Sequence, residues 1–266
     1  MKYFFLTLLF LPSLLFAQVD LEKPFKECGM GGSITLYDYN HKKWIYSNEA
    51  DSKVQTNPAS TFKIINALIA LEEGVLKDEK EIMKFVGIEN VDTAKYGNRT
   101  DIFKDMDLEE AFKKSAVWFN LEIAKKVGRE KYKQYITTAG WGNMDFSEAG
   151  LDFWNDGPFA VTPVQQIEFL KKLYEGKLGF SKRNLDIVKK IMIAEITDSY
   201  TIRGKTGWGQ TVTEDLGWWI GYVEKKEGIV FFATRTRKLM TDKNQNFVPC
   251  RKTITTAVLK QLSIIK

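Results

Sequence analysis

The chain has 266 residues, 44% hydrophobic and 27% charged, close to the globular average, which excludes a disordered or fibrous protein. Its length allows one large domain or two closely packed ones. The formal charge of +5 is spread thinly, in short pairs such as Lys125-Lys126 and Lys189-Lys190, with no basic stripe carrying interleaved aromatics, so no nucleic-acid partner is expected.

In chain order, Met1-Lys2 gives a short basic start. Tyr3 to Phe16 is apolar apart from Thr7, Pro12 and Ser13, and Ala17 supplies a small residue before Gln18. This is the layout of a secretory signal peptide, with cleavage expected after Ala17. The apolar run falls short of the roughly 20 residues a membrane span needs. No cysteine follows it directly, so no lipid anchor is expected. The mature chain, 18–266, is expected in the periplasm without a membrane anchor. Cys28 and Cys250 are the two cysteines. An oxidising compartment permits a bridge between them, and two buried thiols are the alternative reading.

Ser33 to Tyr39 and Lys43 to Ser47 alternate as strands of a hairpin around Asn40-His41-Lys42. From Pro58 to Leu71 the pattern is helical and apolar nearly all round, as in a central buried helix. Helical patterns follow at 108–114, 119–127, 130–138, 163–175 and 182–193. Tyr200 to Thr206, Leu216 to Val223 and Ile229 to Thr234 then read as strands, and Arg251 to Leu262 as a closing helix. Strands at both ends with helices between imply an α+β fold: one antiparallel sheet built from both chain ends, flanked by terminal helices. Residues 18–59 and 196–266 are expected to form the sheet part, and 60–195 an inserted helical part.

A metal centre is not expected, because the chain holds one histidine, His41, in an exposed turn, and no ligand cluster. The same fact argues against a Ser-His-Asp triad. Asn57-Pro58-Ala59-Ser60-Thr61-Phe62-Lys63 offers a different nucleophile. Asn57 suits an N-cap and Pro58 the first helical position, which puts Ser60 near the positive end of the helix dipole. Lys63 lies three residues on, on the same face. A lysine serves as a base only when its pKa is lowered, and burial in an apolar helix lowers it. Ser-x-x-Lys is a weak motif alone, since Ser263 to Lys266 repeats it at the C-terminus. Lys205-Thr206-Gly207 ends a strand pattern. It supplies a cation, a donor and a glycine that admits a close backbone, so that an extended ligand could lie along the strand edge. Ser115-Ala116-Val117 falls between two helical patterns, where its serine is either a proton-passing hydroxyl or a plain cap.

Ser-x-x-Lys, a second serine motif and Lys-Thr-Gly in that order are the signature of penicillin-recognising serine enzymes. With Ser115-Ala116-Val117 as the second motif, the chain resembles the class D, oxacillinase-type β-lactamases. The resemblance extends through Trp141-Gly142-Asn143, Phe153-Trp154, Gly157-Pro158, Thr162-Pro163, Trp208-Gly209 and Gly217-Trp218-Trp219-Ile220-Gly221, from about residue 25 to the C-terminus. It implies hydrolysis of β-lactams through an acyl-enzyme on Ser60, with no cofactor beyond carbon dioxide or bicarbonate. Lys63 would carry a carbamate, N6-carboxylysine, as general base. Phe62, Val117 and Trp154 would form the carbamate pocket. The backbone N–H groups of Ser60 and Trp208 would make the oxyanion hole, and Ser115 would relay a proton. Lys205 and Thr206 would hold the substrate carboxylate beside Gly207 and Trp208. Arg251, at the start of the last helix, would bind that carboxylate too, with Arg235 and Arg237 as competitors for the role. Two departures from the family stand out. Trp141 occupies a usual tyrosine position, and Asn155 replaces an aliphatic residue next to Trp154, which is expected to weaken carbamate retention. Rival readings are a penicillin sensor that stays acylated, and a peptidoglycan transpeptidase or carboxypeptidase.

Overall fold

A computed structural model describes residues 19–266; the expected signal peptide lies outside them. The strands, in chain order, are β1 (Gly31–Asp38), β2 (Lys43–Tyr46), β3 (Ile82–Met83), β4 (Met106–Asp107), β5 (Ile193–Ile196), β6 (Tyr200–Gln210), β7 (Glu214–Lys225) and β8 (Gly228–Leu239). The helices are α1 (Lys23–Cys28), α2 (Lys63–Glu72), α3 (Thr93–Tyr96), α4 (Leu108–Lys114), α5 (Val117–Val127), α6 (Arg129–Ala139), α7 (Phe153–Asp156), α8 (Pro163–Glu175), α9 (Lys182–Ile191) and α10 (Phe247–Gln261). A six-stranded sheet runs β2-β1-β8-β7-β6-β5, and every pairing in it is antiparallel. The expected α+β architecture, with the sheet drawn from both chain ends, is therefore present.

Both faces of the sheet are covered, so β7 is buried from Asp215 to Val223 and its alternation divides between two cores. Trp218, Ile220 and Tyr222 face the large helical core, while Trp219 and Val223 face α1 and α10. Within the helical core, α2 is buried at every position from Lys63 to Leu71, as its all-round apolar sequence demands. Polar side chains in it are paired: Asn66 donates to Asn120 Oδ1 at 2.8 Å and accepts from the Tyr132 hydroxyl, tying α2 to α5 and α6. Asn120 in turn donates to the Ala116 carbonyl at 2.7 Å, which pins the residue next to Ser115.

Several local expectations are corrected. Asn57 does not cap a helix; its Nδ2 donates to the carbonyls of Asn155 and Gly157 at 3.1 and 2.8 Å. Ser60 lies in a 3₁₀ turn, Ala59–Phe62, and α2 begins only at Lys63. The helix read to residue 193 stops at Ile191, and Ile193–Ile196 pairs as an edge strand instead. α10 starts four residues early, at Phe247, so Arg251 sits in its second turn rather than at its start. Cys28 and Cys250 are joined, bridging the end of α1 to the first turn of α10 across 222 residues of sequence.

Candidate active site

The site lies where the turn before α2 meets the exposed part of β6. β5 pairs with β6 from Thr201 to Arg203 and the Gly204 N–H donates to the Met192 carbonyl at 2.8 Å, leaving the edge from Lys205 to Gln210 open to a ligand. The Ser60 turn packs against this stretch because two glycines allow it. A Cβ on Gly207 would lie 3.1 Å from the Pro58 carbonyl oxygen, and one on Gly209 would lie 3.3 Å from the Ala59 Cβ. Ala59 is held at φ +49°, an uncommon conformation for alanine that turns the chain sharply before Ser60. The Thr61 hydroxyl closes the turn on the Pro58 carbonyl at 2.7 Å and accepts from Gln166 at 2.8 Å.

Lys63 Nζ donates to Ser60 Oγ at 2.8 Å and to Ser115 Oγ at 3.2 Å. Lys205 Nζ reaches the same Ser115 Oγ at 3.2 Å and the Thr206 carbonyl at 3.0 Å. Ser115 stands between the two lysines at the C-cap of α4, where its φ of +59° ends that helix just before α5 begins. Burial lowers the pKa of Lys63 to about 8, opposed by the charge of Asp152 and reinforced by that of Arg99. Lys205 is pushed well below its ordinary value, first by burial and then by the cations of Lys63, Arg251 and Lys252. Phe62, which precedes Lys63, is fully buried and stacked at 4.5 Å on the equally buried Trp154, and Val117 lines the cleft together with Lys63.

Arg251 is buried. Its Nη1 donates to the Gly207 carbonyl at 2.6 Å and its Nε to Val248 at 3.1 Å. Its stem crosses β7 at Gly217, where a Cβ would stand 2.7 Å from Arg251 Cδ. Burial lowers its pKa to about 10. Arg235 and Arg237 do not compete for the cleft: both pair with Asp51, and Arg235 also donates to the Val54 and Asp51 carbonyls. They hold the segment leading into Asn57 instead. Trp208 is half exposed on β6, its indole N–H donating to Asp215 Oδ1 at 2.8 Å. His41 lies on the surface, near Asp38, away from these groups.

Together Ser60, Lys63, Ser115, Thr206, Trp208 and Arg251 line a cleft of about 900 Å³. Its far rim comes from residues that sequence reasoning missed. Lys95 and Tyr96 of α3 meet Asp152 and Asp156 at the two ends of α7. No motif marks this contact, since both elements are four residues long and 56 or more positions apart. Among the described residues no cluster of His, Cys, Asp or Glu could hold a metal ion, and no helix is long and apolar enough to cross a membrane.

Residues 33–246 match the family of penicillin binding protein transpeptidase domains. The chain is 35% identical to β-lactamase OXA-48 of Klebsiella pneumoniae over 91% of its own length and 87% of the relative's. It is 34% identical to β-lactamase OXA-10 of Pseudomonas aeruginosa, over 91% and 88%. The crystal structure of a class D β-lactamase from Sebaldella termitidis superposes with a TM-score of 0.86 at 44% identity, covering 94% of this chain and 98% of that one. The chain belongs to the class D β-lactamases. A second class D structure, from Nostoc, agrees as well, with a TM-score of 0.86 at 38% identity over 93% of this chain and all of the other. In this class D chain the three serine-enzyme motifs, scattered along the chain from Ser60 to Gly207, converge on one cleft.

Proposed function

We propose that this class D enzyme is exported to the periplasm, where it hydrolyses the amide bond of penicillin-type β-lactams through an acyl-enzyme on Ser60 and so protects its cell. The observation that carries the reading is the contact chain Ser60–Lys63–Ser115–Lys205, in which a buried lysine of lowered pKa lies 2.8 Å from the serine oxygen. Ser60 Oγ gives its proton toward Lys63 and attacks the lactam carbonyl carbon, forming the C–O bond. The N–H groups of Ser60 and Trp208 bind the developing oxyanion. The C–N bond breaks, and Ser115 passes a proton to the ring nitrogen. Water then attacks the ester, and Ser60 recovers its proton on leaving. Arg251, Lys205 and Thr206 hold the substrate carboxylate, the arginine by charge-assisted hydrogen bonds, and the substrate lies along the edge from Thr206 to Trp208.

The surroundings of Lys63 suit carboxylation. The amine is buried and partly neutral near pH 8, and Phe62, Val117 and Trp154 keep the site apolar. A carbamate there would supply the general base for both acylation and deacylation. The test is a penicillin time course with bicarbonate present, run beside Ser60→Ala and Lys63→Ala. Sustained turnover in wild type alone supports the reading. A burst of one equivalent followed by a stable adduct would mean a sensor or transpeptidase, and no reaction at all would reject the activity.

A further inference from the structure

α7 carries Trp154, which stacks at 4.5 Å, with the planes 7° apart, on Phe62, the residue that precedes Lys63. It has four residues and α3, facing it, also has four. Helices this short hold no fixed position by themselves, so their placement rests on tertiary contacts. Asn57 holds the carbonyl side of α7, at Asn155 and Gly157. Phe153 and Trp154 are buried among Phe62, Tyr132 and Phe159, and a further, polar hold comes from across the cleft. The Tyr96 hydroxyl donates to Asp152 Oδ2 at 2.7 Å, and Lys95 pairs with Asp156. Asp152 is 5% exposed, and a buried carboxylate needs its donors. It has two, Tyr96 and Asn155 Nδ2 at 2.8 Å, and the Lys95 ammonium stands 3.7 Å away as an ion-pair partner. The bond from Asn155 also turns that amide toward Asp152, occupying the polar group that replaces the usual aliphatic residue.

We propose that Lys95 and Tyr96 clamp α7 from the opposite wall of the cleft, with Asp152 as the buried anchor, and that this clamp keeps Trp154 seated over Lys63 so that its carbamate is retained. Lys95, Tyr96 and Asp152 are positioning residues in this account; none touches the reacting atoms. The inference rests on the function proposed above. Removing a clamp contact lets α7 lift, admits water beside Lys63 and shortens the life of the carbamate.

The experiment uses mature wild type, Tyr96→Phe, Lys95→Ala and the double variant. Each is stripped of carbon dioxide at low pH, returned to neutral pH and titrated with ¹³C-bicarbonate, and the carbamate carbon is followed by NMR. Near-ultraviolet circular dichroism verifies that each variant is folded. The expected result is a bicarbonate dissociation constant raised roughly fivefold in Tyr96→Phe, the size of one ordinary hydrogen bond, and raised further in the double variant. Lost activity should return as bicarbonate is increased. Unchanged retention in folded variants would overturn the clamp, as would activity that stays low with the carbamate signal at its wild-type level. A wild type that hydrolyses penicillin without any carbamate signal would overturn the clamp and leave the hydrolase reading intact. Failure of wild-type turnover would instead reject that reading.

Discussion

At the residue scale the chemistry turns on one amine. A lysine ordinarily titrates near 10.4, and at neutral pH almost none of it is neutral. With its pKa lowered to about 8 by burial, about a tenth of Lys63 is neutral at pH 7. Only that form can accept a proton from Ser60 or add carbon dioxide. At limiting bicarbonate, initial rates should therefore climb between pH 7 and 9 and level off above the lysine's pKa, and saturating bicarbonate should flatten the climb. A rate independent of pH over that range would contradict the assignment. The stability consequence has the opposite origin but the same direction. Between about pH 8 and 10.5 the unfolded chain holds more protons on this lysine than the folded one, so this term raises stability with pH through that window. Below it, both states are protonated and the cost of burying the charge is fully present. The residue identities at this scale were legible: Ser60, Lys63, Ser115 and Lys205 came from motif order. The lowering of the Lys63 pKa was legible only as a direction, since its extent depends on how completely the fold buries the amine and on the charges of Asp152 and Arg99, both distant in sequence.

At the element scale, the site depends on how closely a turn can approach a strand. Gly207 lets the turn sit this close: a Cβ there would lie 3.1 Å from the Pro58 carbonyl oxygen, tighter than an ordinary contact, so the backbone of the turn would have to give by a few tenths of an ångström. Gly207→Ala should push the Ser60 turn off β6 and lower kcat by roughly tenfold or more, because misplacement of a reacting group by a fraction of an ångström is expensive. Steady-state kinetics of the folded variant check this, and a kcat within twofold of wild type would rule it out. The sequence reading found a use for Gly207 but had an extended ligand as its close neighbour. The nearest backbone is the protein's own. In the same way, Gly217 carried no stated role until Arg251 was seen to cross it. Helices α4 and α8 were read to the residue, because their apolar spacing and caps are local. The 182–193 pattern ran into β5 because edge pairing with β6 is not written in helical periodicity. α3 and α7 escaped notice because four-residue helices have almost no periodic signal.

At the scale of the whole molecule, the chain ends are fastened together. The Cys28–Cys250 bridge joins α1 to α10 over 222 residues, on the sheet face opposite the large helical core. Closing so long a loop restricts the unfolded chain, for which the entropic account gives about 2–4 kcal/mol in practice. The double variant Cys28→Ala, Cys250→Ala should lose stability of that order in reversible urea unfolding. Equal midpoints for the variant and for the oxidised wild type would show that the bridge adds nothing. The sequence allowed this pairing and two free thiols equally, because terminal neighbours in space cannot be deduced from separation in sequence. Composition and periodicity alone determined the α+β class, the central buried helix and the absence of a histidine triad, since each follows from local pattern or from residue counts. The ordered motifs added the nucleophile, its lysine and the family. Only the tertiary structure decided which groups share the cleft with them. The Asp51 pairing that withdraws Arg235 and Arg237, the Gly217 groove that seats Arg251 and the contact between α3 and α7 are all long-range juxtapositions, made by packing across the fold and not by any pattern along the chain.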